Sequence, residues 1–436
     1  MKTNILDTLI FLRKSQFWEE TLLEEYRFEK LKRLIEFSYR NVPYYEKLFR
    51  SLRLTPGDIK SLKDIEKIPI LSKEKIRREG RNLIARNFNM KYVKTGKTGG
   101  TTGPPLVVYK DTNCRSFTWA SYYRWYEWMG IEYGDRVATL WGARTVLTKS
   151  LKKGLESRGR NILQNKLDIN SFEMDQEGIS KMYEKLFNFR PSILKGYLSA
   201  LLNLARYIEQ NSLERPDVKV LSSTSETLFP HNRSYLEKVF GAPVYDQYGC
   251  GELSAISYEC SKHGGLHINQ EHILCEILDE KDSPIIEKPG RVIGTDLDNF
   301  VMPFIRFENG DIATLYNHKC KCGVNQPLMK SIEGRSIDTI TLKNGSKVHG
   351  VFFTDIFYEL GIMADNIQRF QIHQNNARNI EVRLETKKQL DSTVKNKLVK
   401  ALDPFFSHVD IIETHQLQND ESGKFRYIIN EGSFCM

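Results

Sequence analysis

Residues 218–252 read VKVLSSTSETLFPHNRSYLEKVFGAPVYDQYGCGE, and this stretch decides the fold class. VKVLSS is typical of a short buried strand, PHNRSYLEKVFG of a helix and APVYDQYG of a second strand. Pro230 suits the first turn of the helix, and Gly241 suits the position just after its end. A strand, a helix and a strand within about 30 residues form a βαβ unit, which predicts a parallel sheet and an α/β fold.

Polar loops lie at the ends of the two predicted strands. Ser225 and Glu226 follow the first strand, whereas Tyr248, Gly249 and Glu252 lie at the end of the second. In open α/β sheets, ligands bind at the carboxyl ends of the strands. The sequence therefore predicts a ligand site formed by these two loops.

The pattern changes on both sides of this unit. The first ninety residues favour helices, as in EKLKRLIEFSYR, where Leu31, Leu34 and Ile35 recur at helical spacing. A run of short strands follows His267, and the chain after Gly334 alternates strands with one helix. We therefore predict a large N-terminal domain, residues 1–334, with mixed α/β layers and a β-rich subdomain. Residues 335–436 are predicted to form a small α+β domain.

The composition is that of an ordinary globular chain. Of the 436 residues, 40% are hydrophobic and 27% are charged, which excludes disordered and collagen-like proteins and disulfide scaffolds. Lys and Arg exceed Asp and Glu by 64 to 55, a net charge of +9. This excess suits nucleic acid, an anionic membrane surface or phosphorylated cofactors, although a solvated surface of mixed charge gives the same count.

Cysteine usage and hydropathy bear on the compartment. Seven cysteines are few and odd in number, so we expect a reducing compartment, the cytoplasm. No uninterrupted apolar run approaches the ~18 residues of a transmembrane helix. Because Asp7 interrupts the apolar run at the N-terminus, we expect no signal peptide.

The segment TGGTTGPP, residues 98–105, combines glycines with threonines. Glycines let successive backbone N–H groups converge on an anion, and hydroxyl groups add donors. The segment is not a Walker-type P-loop, because the first glycine of that motif would fall at Lys91. It is either a phosphate-binding loop or a flexible surface turn.

Several other residues have two interpretations when taken alone. Asn309-Gly310 and Asn344-Gly345 are hairpin signals. Asp311 is then either a ligand-binding carboxylate or an ordinary residue at the start of a strand. Lys424, in ESGKFR, would by itself be one more exposed lysine.

Five potential metal ligands lie in two short segments. Cys260, His263 and His267 fall within eight residues, and Cys320 and Cys322 form a C-x-C pair. Three thiolates and one imidazole would form a closed tetrahedral structural zinc site. The alternative is a set of reduced cysteines on β-hairpins.

The order of these segments along the chain is informative. A Thr/Gly loop, YGxxE, GD, GRxxD and a C-terminal GK follow one another, and this order resembles the adenylate-forming superfamily. Within that superfamily the chain is similar to the phenylacetate-CoA ligase group and its capsule-biosynthesis branch, the CapK-like proteins. The segments RPSILKGYLSALLNLARYI, VYDQYGCGE, GLHINQEH, GTDLDNFVMPFIRFENGD and GKFR carry the resemblance over nearly the whole chain.

The resemblance implies a role for each predicted site residue. Phosphate-loop residues would be Thr98, Gly99, Gly100, Thr101, Thr102 and Gly103. Ser225 and Glu226 would line the adenine site, where Tyr248, beside Gly249, would stack on the base. Glu252 would help to hold Mg²⁺, Asp311 would bind the ribose, Arg335 would lie at a hinge, and Lys424 would be the adenylation lysine.

The resemblance also implies an activity and its cofactors. ATP and Mg²⁺ would convert a small carboxylic acid into an acyl-adenylate, and a mobile C-terminal lid would then allow transfer to coenzyme A. A structural Zn²⁺ would be held by Cys260, His267, Cys320 and Cys322, with His263 as the substitute for His267. Gly251 stands where Thr or Ser is usual before the glutamate, and Gly99 replaces a hydroxyl residue in the phosphate loop.

Two alternatives remain open at this point. The acyl group could pass to an amine or hydroxyl of a sugar or another metabolite in polysaccharide biosynthesis. In a different class, the chain would be a basic, zinc-containing nucleic-acid-binding protein, although the resemblance predicts no nucleic-acid partner. A nucleic-acid shift assay with a salt titration separates these classes, because phosphate-driven binding weakens steeply with salt. The acid substrate and the oligomeric state are left undetermined by the sequence.

Overall fold

The computed structural model divides the chain into two compact units. Unit 1 comprises Met1–Asp135 and Tyr245–Ile332, and unit 2 comprises Arg136–Val244 and Glu333–Met436. The structure describes residues 4–97, 106–141, 165–171, 176–335, 339–344, 347–349, 352–353, 356–357, 360, 367–374, 379–386, 388–414, 416–418 and 425–430.

Helices and strands alternate along the described chain. The helices are α1 (Ile5–Ser15), α2 (Glu20–Asn41), α3 (Pro43–Ser51), α4 (Lys73–Glu79), α5 (Thr112–Trp128), α6 (Gln176–Phe189), α7 (Leu198–Gln210), α8 (Pro230–Phe240) and α9 (Ser392–Leu402). The first ten strands are β1 (Lys94–Lys97), β2 (Val107–Lys110), β3 (Val137–Trp141), β4 (Lys166–Asn170), β5 (Ile193–Tyr197), β6 (Val220–Thr224), β7 (Val244–Cys250), β8 (Ser254–Glu259), β9 (Leu266–Ile268) and β10 (Ile273–Leu278). The others are β11 (Gly290–Asp296), β12 (Phe307–Leu315), β13 (Leu328–Arg335), β14 (Thr339–Thr341), β15 (Lys347–His349), β16 (Ile367–Gln374), β17 (Ile380–Thr386), β18 (Val409–Thr414) and β19 (Ile428–Asn430).

Unit 1 is built on an antiparallel sheet. Its strands lie in the order β10-β11-β12-β13-β9-β8-β7, and β1 and β2 form a separate antiparallel hairpin. The apolar face of α2, with Leu31, Leu34 and Ile35, is buried in the same core as strand residues such as Ile273 and Val292. The helical spacing in EKLKRLIEFSYR therefore marks a core-facing helix, as predicted.

One predicted hairpin in unit 1 is wrong. Asn309-Gly310 does not separate two strands, because β12 continues through it from Phe307 to Leu315. The pairing of β11 with β12 shifts register here, and Gly310 has φ +84°. An Asn-Gly pair supplies the positive φ that a β-bulge needs as readily as it supplies a hairpin turn. The second signal fits a hairpin, since β14 and β15 pair antiparallel on either side of Asn344.

Unit 2 contains the predicted parallel sheet. Strands β6, β5, β3 and β4 lie in that order and pair in parallel. The predicted helical face of α7 is buried against this sheet, with Leu198, Leu201 and Ile208 in one core. The strand, helix and strand predicted within residues 218–248 are present as β6, α8 and β7, and the predicted α/β class is confirmed.

The C-terminal part of unit 2 is a second, smaller sheet. Its order is β18-β17-β16-β19, and α9 packs on it, which matches the predicted α+β pattern. The division at residue 334 remains a prediction, because unit 2 takes in residues 136–244 together with the C-terminal residues. The mobility of the C-terminal domain also remains a prediction.

No helix among the described residues is both long enough and apolar enough to span a membrane.

Candidate active site

Three side chains from two distant segments meet in unit 1. The Tyr248 hydroxyl donates to Asp311 Oδ2 at 2.7 Å, and Asn309 Nδ2 donates to the same Oδ2 at 2.9 Å. Asn309 Nδ2 also lies 2.5 Å from the Tyr248 hydroxyl. Burial, and then the Asp311 carboxylate, raise the pKa of Tyr248 well above its usual value, so this hydroxyl remains a donor. Because of the bulge in β12, the side chains of Asn309 and Asp311 both reach the Tyr248 hydroxyl. Tyr248 and Asp311, two of the predicted site residues, are thereby brought together.

The loop after Tyr248 depends on a close backbone approach. A Cβ atom on Gly249 would lie 2.2 Å from the Ser254 carbonyl oxygen, so only glycine fits at this position. The β7–β8 pairing shifts register at the same point. The loop then turns through Gly251 to Glu252, whose side chain is only 4% exposed. No hydrogen bond or ion pair from the described part of the chain holds the Glu252 carboxylate.

A basic cavity of about 240 Å³ adjoins this loop. It is lined by Lys94, Thr95, Gly96, Val108, Lys110, Arg115 and Gly251. Three lining side chains are cationic and none is acidic, so the cavity suits an anion. Residues 98–106 connect the paired strands β1 and β2, and this connection contains the Thr/Gly segment.

Ser225 and Glu226 belong to unit 2 and follow the last residue of β6. Ser225 has φ +71°, an uncommon conformation for a residue with a side chain. The Glu226 carboxylate accepts bonds from the backbone N–H of Ser199, at 2.9 Å, and from its hydroxyl, at 2.8 Å. Glu226 therefore stabilises the first turn of α7, which begins at Leu198. An adenine-site role for Ser225 and Glu226 remains a prediction.

The remaining predicted site residues cannot be placed in the same way. The phosphate-loop residues Thr98, Gly99, Gly100, Thr101, Thr102 and Gly103 lie outside the described residues, as does Lys424. Arg335 is the last residue of β13, and its side chain is likewise outside the description. Their roles remain predictions from the sequence.

The four predicted zinc ligands converge in unit 1. The ligand atoms of Cys260, His267, Cys320 and Cys322 all lie within 4.8 Å of one another. Cys260 Sγ is 3.6 Å from Cys320 Sγ, and Cys322 Sγ is 3.3 Å from His267 Nε2. A disulfide needs about 2.05 Å, whereas adjacent sulfurs around a tetrahedral zinc with ~2.3 Å bonds are about 3.8 Å apart. The donor set and its spacing therefore fit a tetrahedral metal ion.

The structure distinguishes between the two candidate histidines. His267 Nδ1 faces the Gln326 carbonyl oxygen at 3.4 Å, which leaves Nε2 directed at the thiols. Burial lowers the pKa of His267 to about 4, so its imidazole is neutral, the form that binds metals. His263 instead lies 3.2 Å from Glu259 and packs against the Tyr245 ring. His267, and not the substitute His263, joins the cluster.

Three residues at the site are not among those predicted from the sequence. Asn309 was interpreted only as part of a hairpin signal, yet its side chain joins Tyr248 to Asp311. Lys110 and Arg115 line the basic cavity but belong to no motif. The available signal was their position, since both closely follow the Thr/Gly segment.

Sequence comparisons relate the chain to two groups of proteins. Residues 340–431 match the family model of the CapK C-terminal domain. The chain is similar to Protein CapK of Staphylococcus aureus, with 26% identity over 384 residues, 87% of this chain and 81% of that protein. It is also similar to a phenylacetate-coenzyme A ligase of Pseudomonas putida, with 25% identity over 376 residues, 83% of this chain and 82% of that protein. The predicted resemblance is confirmed.

Two solved structures with a similar fold are CoA ligases. A 2-hydroxyisobutyryl-CoA ligase in complex with R3-HIB-AMP has a TM-score of 0.78 at 17% identity, covering 96% of this chain and 92% of that one. The anthranilate CoA ligase AuaEII in complex with anthranoyl-AMP has a TM-score of 0.58 at 12% identity, with 88% and 79% coverage. This likeness confirms the predicted fold, a large mixed α/β part with a separate C-terminal sheet.

Proposed function

We propose that this chain is an AMP-forming ligase that activates a small carboxylic acid with ATP and transfers the acyl group to coenzyme A. The observation that carries the proposal is the hydrogen bond between Tyr248 and Asp311. The order of the motifs assigns these residues to the adenine and the ribose of one nucleotide. Their meeting across 63 residues of sequence supports a single nucleoside site.

The first half-reaction would join the acid to the nucleotide. A carboxylate oxygen attacks the α-phosphorus of ATP, the bond to the bridging oxygen breaks, and diphosphate leaves with that electron pair. Because negative charge accumulates on the phosphate oxygens, cationic groups that are already in position accelerate this step. Lys424 would supply one such charge, and the Thr/Gly segment would supply backbone and hydroxyl donors.

Glu252 would hold the magnesium ion of the nucleotide. Glu252 is only 4% exposed, its carboxylate has no hydrogen-bond or ion-pair partner among the described residues, and a hard oxygen donor is the ligand that Mg²⁺ prefers. When bound, the metal ion would neutralise charge on the phosphate oxygens. The chain's own contribution is to keep this carboxylate at the end of β7, directly after the loop fixed by Gly249.

The second half-reaction would use a thiol. The sulfur of coenzyme A attacks the acyl carbon, and AMP leaves with the oxygen that came from the acid. The sequence similarity to phenylacetate-coenzyme A ligases supports this acceptor. Transfer to an amine or hydroxyl of a sugar or another metabolite stays the alternative predicted from the sequence.

The acceptor is tested with the acyl-adenylate supplied directly. Coenzyme A and amino sugars are offered in separate reactions, and the acylated products are identified by mass spectrometry. The proposal predicts an acyl thioester formed at the higher rate. Faster formation of an amide or ester would favour the alternative.

We also propose that the Cys260, His267, Cys320 and Cys322 cluster holds a structural zinc ion. All four positions around the metal would be filled by protein, which leaves none for a substrate and excludes a catalytic role for this cluster. The ion would tie the β8–β9 region to the segment that precedes β13.

Replacing Glu252 with glutamine is expected to weaken magnesium-nucleotide binding. The amide keeps the size of the side chain but removes its charge, so half-saturation of the adenylation rate should need about tenfold more Mg²⁺. The measurement is the initial rate of diphosphate release against Mg²⁺ concentration at fixed ATP.

Glu287→Gln is the matched control for this variant, because it makes the same change at an exposed position remote in sequence from the site. It should leave the Mg²⁺ dependence unchanged. A Glu252→Gln variant with the wild-type Mg²⁺ dependence would contradict the proposed metal-binding role.

A further inference from the structure

Two lysines oppose each other directly in the β1–β2 hairpin. Lys94 and Lys110 are Cα partners in the antiparallel register, and both side chains line the basic cavity. Like charges directly opposite one another destabilise a strand pair. Arg115, on the first turn of α5, adds a third positive charge to the same cavity. No carboxylate in the described ranges forms an ion pair with any of these three cations, so an anion in the cavity would offset their repulsion.

Lys110 is held in place from two sides. Its ammonium group donates to the Ser254 hydroxyl, and Ser254 has φ +67° directly after the Glu252 loop. The next residue, Asp111, caps α5 by accepting from the backbone N–H of Cys114 at 3.0 Å. Asp111 also accepts from the backbone N–H of Phe300 at 2.8 Å. Lys110 therefore lies on a fixed backbone, and its ammonium group is tied to the strand that follows Gly251.

We propose that Lys110, assisted by Arg115 and Lys94, binds the β- and γ-phosphate oxygens of the nucleotide. This inference rests on the proposed function and adds to it the residues that recognise the polyphosphate. Three converging cations suit a group with several negative charges better than a single carboxylate. Gly96 and Gly251 have no side chains and leave room on the cavity wall for such a group.

The test compares ligands that differ in their phosphate groups. Titration calorimetry measures the binding of ATP plus Mg²⁺, diphosphate, AMP and coenzyme A. The proteins compared are the wild type and the variants Lys110→Met, Lys110→Arg and Lys32→Met. Methionine keeps the length of lysine and removes the charge. Lys32 is exposed on α2, so Lys32→Met controls for the loss of one charge.

Lys110→Met is expected to bind ATP and diphosphate about tenfold to a hundredfold more weakly, the range for losing one charged hydrogen bond. AMP lacks the β- and γ-phosphates, so its affinity should change less than threefold. Lys110→Arg should recover most of the loss, and Lys32→Met should bind every ligand like the wild type.

Each other outcome would overturn the proposal. Unchanged binding of ATP and diphosphate by Lys110→Met would remove the phosphate role. If Lys110→Met lost equal affinity for AMP and ATP, the role of Lys110 would be structural only. If it lost affinity for coenzyme A alone, the cavity would be a site for the phosphates of coenzyme A. A wild-type protein that binds no ATP would contradict the proposed function itself, an outcome distinct from those that concern Lys110.

Discussion

Lys424→Ala is expected to slow formation of the acyl-adenylate by about 10²–10³-fold, the scale for losing one well-placed electrostatic stabiliser. The effect should appear in the rate of the first half-reaction and not in ATP affinity, because the charge is needed only as the transition state forms. The measurement is single-turnover formation of acyl-adenylate from ATP and the acid. Lys424 lies outside the described residues, so this prediction rests on the GKFR motif.

A second single-turnover assay, started from pre-formed acyl-adenylate, separates the two half-reactions. Transfer to the acceptor should proceed at nearly the wild-type rate in Lys424→Ala. Lys400→Ala, an exposed lysine on α9, is the matched control and should leave both steps unchanged. Equal slowing of both steps would indicate a damaged C-terminal domain, and no slowing of either would remove Lys424 from the mechanism.

Cys320→Ser is expected to lower the metal content from about one zinc per chain to nearly none and to destabilise unit 1. Loss of a structural metal costs on the order of 4 kcal/mol or more. For a unit of this size, such a loss corresponds to a fall in melting temperature of roughly 10 °C. Metal analysis of protein purified without added zinc, together with thermal unfolding followed by circular dichroism, provides both measurements.

Cys275→Ser is the matched control for the zinc prediction. Cys275 lies on β10 outside the metal cluster, so this variant should keep its zinc. Nucleotide binding at low temperature should survive in Cys320→Ser, because the cluster is structural. Wild-type protein with no bound metal, and with a melting temperature that a chelator does not change, would contradict the zinc proposal.

Local patterns made much of the fold predictable. The apolar spacing in α2 and α7 places Leu31 and Leu201 in their cores, because periodicity alone fixes which face of a helix is buried. The strand–helix–strand pattern around Pro230 and Gly241 predicts the α/β class, because apolar runs and helix-end residues are also local signals. The convergence of Cys260, His267, Cys320 and Cys322 was also predictable, because three thiols and one imidazole are the donor set of a tetrahedral metal site.

Tertiary pairing decided the features that the sequence did not reveal. Asn309-Gly310 forms a bulge and not a turn because β12 continues its pairing with β11 beyond it. The backbone conformation that suits an Asn-Gly turn also suits a bulge, so the dipeptide alone cannot distinguish them. Likewise, Lys110 becomes part of a basic cavity only through its register with Lys94 and its bond to Ser254.

In the proposed reaction, an oxygen of the acid becomes bonded to the α-phosphorus of ATP. A panel of carboxylic acids is first screened for ATP–diphosphate exchange in the absence of coenzyme A. An acid that supports exchange is then labelled with ¹⁸O in its carboxylate. After turnover with the acceptor, mass spectrometry of the nucleotide product should show AMP carrying one ¹⁸O atom, because AMP leaves with the attacking oxygen. Unlabelled AMP, ADP as the product, or no acid-dependent exchange across the panel would contradict the proposed reaction.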